Sequence, residues 1–76
     1  MKTGMLWLDD DKKRSLEEKV QRAVDYYSEK YGRMPELCLV NQRTVAVALK
    51  VGSVEVRPVT NVHPSHFWLG VEAQGA

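Results

Sequence analysis

Both histidines of this 76-residue chain, its only phenylalanine and one of its two tryptophans lie within six residues, His63-Pro64-Ser65-His66-Phe67-Trp68. Two imidazoles beside large aromatic faces could ligate a metal, move protons near neutral pH, or stack on a partner. The His63-x-x-His66 spacing suits two metal ligands on one turn, with Glu72 or Asp9 as a third. Pro64, however, breaks helical geometry, and no metal-binding motif fixes the third position. General acid–base work needs an enclosed pocket, which so short a chain rarely builds alone. No metal and no cofactor is therefore expected; the two histidines read first as surface or capping residues, with a binding contact as the alternative.

A second constellation is polar. In parallel α/β sheets ligands bind beyond the carboxyl ends of the strands, and two expected strands end at Asp9-Asp10-Asp11 and at Asn41-Gln42-Arg43. Carboxylates beside an amide and a guanidinium outline a metal-dependent phosphoryl-transfer or nuclease site built from Asp9, Asp10, Asp11, Asn41 and Arg43. The same acidic run also suits a solvated turn ahead of a helix, where it opposes the helix dipole. A third constellation, His66, Phe67 and Trp68 with Arg57 and Arg43, follows the stacking logic of single-strand nucleic-acid binders. Strand alternation divides those aromatics, sending Phe67 to the core and Trp68 to the other face.

The bulk chemistry narrows the partners. Eleven basic residues against ten acidic ones give a formal charge of +1, so no overall field draws nucleic acid or anionic lipid to the surface. Lys12-Lys13-Arg14 pools basic charge but follows directly on the three aspartates. A 43% hydrophobic and 28% charged composition is that of a globular chain, and its length holds one small domain, residues 1–76. Cys38, the single cysteine, sits among Leu37, Leu39 and Val40 and reads as a buried thiol kept reduced in the cytoplasm. No apolar run reaches membrane-spanning length, and Met1–Leu8 is too short for a secretory signal.

One long helix must position these groups. Ser15 and Glu18 form a capping box, and Leu16, Val20, Ala23, Val24, Tyr27 and Tyr31 recur on one helical face. Gly32 and Pro35 end the helix near Tyr31. Met5-Leu6-Trp7-Leu8 and Leu37-Cys38-Leu39-Val40 read as buried strands on either side, parallel neighbours in a β-α-β unit. Thr44–Lys50 favours a short helix; as a strand it would make Gly52-Ser53 a hairpin turn. Val54–Arg57 alternates as an edge or near-edge strand, limited by Pro58. Phe67–Val71 follows as a fourth strand antiparallel to it, and Glu72–Ala76 has nothing to bury and should fray. The expected architecture is α/β, with small α+β as the alternative: about four strands in a mixed sheet on one long helix.

Trp7, Trp68, Tyr26 and Tyr31 are more large side chains than so small a core can bury, and interfaces are enriched in such residues. The leading expectation is a non-enzymatic protein-interaction module, self-associating, that binds through Trp68, His66, His63 and Tyr26. Nucleic-acid binding through the sheet aromatics and arginines is the alternative, and the metal-dependent enzyme ranks third.

Overall fold

A computed structural model of the chain describes residues 4–71. The expected fraying of Glu72–Ala76, and Glu72 as a ligand, lie outside the described residues. Five strands and one helix follow in the order β1 (Gly4–Leu8), α1 (Leu16–Tyr31), β2 (Leu37–Asn41), β3 (Leu49–Val51), β4 (Val54–Val59) and β5 (His66–Gly70). They form an α+β fold in which a single mixed sheet, ordered β1-β5-β2-β4-β3, carries α1 on one face.

The helix begins and ends as its sequence dictates. Ser15 Oγ accepts from the Glu18 N–H while the Glu18 carboxylate accepts from the Ser15 N–H, both at 3.2 Å. Each bond satisfies a donor that the first turn leaves open. Gly32 closes the other end in the left-handed region at φ 73°, its N–H donating to the Ser28 carbonyl. Val20, Ala23, Val24 and Tyr27 are buried. They pack with Met5, Cys38, Val40, Val54, Val56, Phe67 and Leu69 from the sheet. Each large aliphatic or aromatic group in that layer stabilises the fold by about 1.5–3 kcal/mol relative to exposure.

Three expectations are corrected. β1 and β2 point the same way, but β5 lies between them, antiparallel to both. The last strand thus enters the middle of the sheet, where its Phe67 and Leu69 bury together in the core under the helix. Residues 44–48 are irregular instead of helical, and Leu49–Val51 pairs back on β4 through Gly52, whose φ of 60° suits the turn. Seven residues, two of them β-branched valines, are too few to nucleate a helix against that pairing. The hairpin adds a fifth strand at the edge and leaves β4 one place inside it, parallel to β2. Finally, β1 is not a buried strand: Leu6 and Leu8 are 61% and 59% exposed.

Candidate functional site

Only one helix is present among the described residues, so only one face of the sheet is covered by it. Alternation and register define what the other face shows. Leu6 pairs with Trp68, Trp68 with Leu39, and Leu39 with Arg57, giving one row of side chains across four strands. Leu8 faces His66 in the next row. On the other side of the first row, Gly4 faces Gly70, which faces Leu37, and Leu37 pairs with Glu55. The β1, β5 and β2 part of this face is therefore apolar, and its charge is confined to β4 and β3.

That charge is internally matched. The Arg57 guanidinium donates to both Glu55 carboxylate oxygens, at 3.1 and 3.2 Å, and this hydrogen bonding holds the Glu55 carboxyl below its ordinary value.

Trp68 is half-buried because the glycine beside it makes room. A Cβ placed on Gly4 would fall inside the indole, against Cζ2, Cε2 and Cη2. The ring therefore lies across Gly4 on the surface of the sheet. Leu37 is 2% exposed although it faces away from the helix, so this side has a thin apolar layer of its own. At its margin Leu6, Leu39, Val62, His63, His66 and Trp68 line an open concavity of about 340 Å³.

The loop on one side of the concavity is fixed by groups that might otherwise have bound a ligand. The Asn41 side-chain amide donates to the Val62 carbonyl and accepts from the Arg43 N–H, each at 2.8 Å. Thr44 Oγ1 donates to the Pro64 carbonyl at 3.1 Å, and the His66 N–H to the His63 carbonyl at 2.9 Å. The two imidazoles stand 5.8 Å apart, tilted by 57°. His66 Nδ1 is buried without a hydrogen-bond partner among the described residues.

The structure gathers Trp68, His66 and His63 on this face and leaves Tyr26 elsewhere. Tyr26 packs its ring on Trp7 at 5.1 Å, on the helix side of the sheet, and is 52% exposed. Phe67 is in the core at 1% exposure, so the part of the stacking set on this face is Trp68, His66 and the paired Arg57. The strand-end residues are held apart and bonded within their own loops. Asp9 and Asp11 share Arg14, at 3.5 and 3.0 Å, and their carboxylates accept the N–H groups of Asp11 and Lys13. Asp10 is exposed, Arg43 is exposed, and Asn41 is occupied by the loop. β5 separates the two strand ends that were to meet. Among the described residues no three His, Cys, Asp or Glu side chains come together as a metal site.

Sequence reasoning missed Leu6, Leu8 and Leu39 as surface groups and Gly4 as the seat of Trp68. Compared with known proteins, the chain matches no family model, no curated protein and no solved structure. Its class is defined by the geometry: a five-stranded mixed sheet with one helix on one face and an apolar opposite face. No helix among the described residues is long and apolar enough to cross a membrane.

Proposed function

We propose that the domain is a non-enzymatic protein-interaction module that docks a partner on the open face of its sheet, centred on Trp68. The observation that carries this reading is the contiguous row of Leu6, Trp68 and Leu39, with Leu8 and His66 beside it, on a face that no helix among the described residues covers. Exposed leucines gathered around a half-buried tryptophan have the make-up of an interface core, and the charged rim at Arg57 and Glu55 has that of its border. Nucleic acid is the poorer fit, since Phe67 is withdrawn into the core and Arg57 on this face is already paired to a carboxylate. The cytoplasmic location expected from the sequence goes with this reading, Cys38 being free and buried.

Site-specific photo-cross-linking in cells tests it. A benzophenone amino acid replacing Leu8 should give discrete protein adducts, while the same group replacing Glu17 on the solvent side of α1 should give none. Absence of adducts from Leu8, or equal labelling from both positions, overturns the reading.

A further inference from the structure

We infer that the partner is a second copy of this chain, joined through β1: the two β1 strands pair antiparallel about a twofold axis at Leu6, making one sheet of both copies. The inference rests on the docking reading above and narrows it to the β1 margin of that face, at Leu6 and Leu8.

The backbone supplies the first argument. The Asp9 N–H donates to the Ser65 carbonyl at 3.0 Å, which marks a closely bonded pair just beyond the β1–β5 register. Such pairs alternate along an antiparallel ladder. Met5 and Trp7 therefore turn their N–H and C=O groups toward β5, and Gly4, Leu6 and Leu8 turn theirs outward. No described strand lies beyond them. The residues with outward backbone groups are the same ones whose side chains belong to the open face.

The two edges of the sheet differ in a way that selects this one. β3 has three residues with Lys50 at its centre, so pairing it with its own copy there would set Lys50 against Lys50. Shortness and lysine are standard edge guards, and like charges directly opposite are unfavourable. β1 is the reverse case: Gly-Met-Leu-Trp-Leu has no charge, no proline and an unbroken register.

Self-pairing at Leu6 is also complementary in shape. It places Leu6 against Leu6 and Leu8 against Gly4 of the second copy, where the Trp68 indole already fills the space above the glycine. Leu8 would thus seat on that ring. On the other face Met5 meets Trp7 of the second copy, flanked by the exposed Tyr26 ring. A stable interface takes about 800 Å² per partner, against a total surface of 5071 Å². A bare backbone ladder is narrower than that, and the side chains on both faces of β1 supply the added width.

Sedimentation velocity of the full chain at about 100 µM should show a dimer, at a concentration where micromolar affinity is saturating. Leu6→Pro removes an outward N–H that the fold itself does not use, which edge strands tolerate, and should weaken association about 100-fold with the circular dichroism unchanged. Should that variant not fold, Leu8→Lys gives the same outcome by placing a charge over the tryptophan. Under mild oxidation Leu6→Cys should form an intermolecular disulfide, since directly opposed strand residues meet the Cα spacing that bond needs; Leu39→Cys should not. A strict monomer, the result if the edge instead takes a strand from another protein, overturns the inference. A dimer indifferent to Leu6→Pro and cross-linked through Leu39→Cys overturns edge pairing and leaves the docking face standing.

Discussion

Replacing Gly4 with alanine tests how the open face is built. The added methyl would occupy the space of the Trp68 indole, and forcing an extra carbon into a filled position costs about 1–3 kcal/mol. Alanine also recovers about 0.5–1 kcal/mol, the penalty glycine carries inside a strand. The expected net loss is about 0.5–2 kcal/mol, and at roughly 4–8 °C per kcal/mol for a domain of this size the melting temperature falls by several degrees. The half-buried ring can relieve the clash by swinging outward, so its emission should shift to the red. A Trp7→Phe background makes Trp68 the only tryptophan; it also removes the Trp7 Nε1 donor, which is buried without a described partner. Urea titrations followed by fluorescence give the stability, and repeating the substitution in Trp68→Leu completes a cycle. There Gly4→Ala should become neutral or stabilising, a coupling of about 1–2 kcal/mol. If instead Gly4→Ala leaves Trp68 emission unchanged and has the same effect in both backgrounds, the seat assigned to the indole is refuted.

Ser15→Ala removes the side-chain acceptor of the capping box and should lower stability by about 1 kcal/mol, measured by thermal or urea unfolding, with Glu18→Gln costing less. Asn41→Ala frees the Val62 carbonyl and the Arg43 N–H at once; a loss of about 1–3 kcal/mol and faster amide exchange at residues 62–66 are expected. Burial pushes the Cys38 thiol from 9.0 up to about 12, so iodoacetamide at pH 8.5 should modify it only after unfolding. Between those two values the unfolded chain has released the proton and the folded chain still holds it. The Cys38 contribution is therefore intact below pH 9 and declines above it by about 1.4 kcal/mol per pH unit. Urea titrations at pH 9–10.5 should show that slope flattened in Cys38→Ala.

Local signals in the sequence carried the helix completely. Ser15, Glu18 and Gly32 act on their immediate neighbours, and the 3.6-residue recurrence from Val20 to Tyr27 leaves one way to bury the face. Phe67 and Trp68 were likewise separated correctly, because adjacent residues of a strand must point apart. Strand order was not legible. Nothing in Phe67–Gly70 tells that it inserts between β1 and β2, since any apolar strand could have filled that place. Residues 44–50 misled because alanine and leucine favour helix weakly, and a three-residue pairing through Gly52 outweighs such a preference. The polar strand-end site failed for the same reason of order: its two halves were assigned to neighbouring strands that β5 holds apart.

The open face was missed for a different reason, and the missing step is one of counting. An apolar run such as Met5-Leu6-Trp7-Leu8 is the mark of a strand buried on both faces. Burial on both faces requires two covering layers, and the described residues form one amphipathic helix. Every second residue of the inner strands must then face something the described chain does not provide. Leu37 is nonetheless buried, at 2% exposure, and at the β1 end of its row Gly4 leaves a gap that the Trp68 indole fills. For Leu6 and Leu8, at the edge, no such neighbour exists, and they stay exposed while Trp7 and Met5 alternate inward. Leucine retained at such positions gains nothing for the isolated fold, where lysine or threonine would serve as well and guard the edge. Contact with a second surface is the role the proposed function gives them, so the residues least useful to this domain alone are the ones on which that proposal rests.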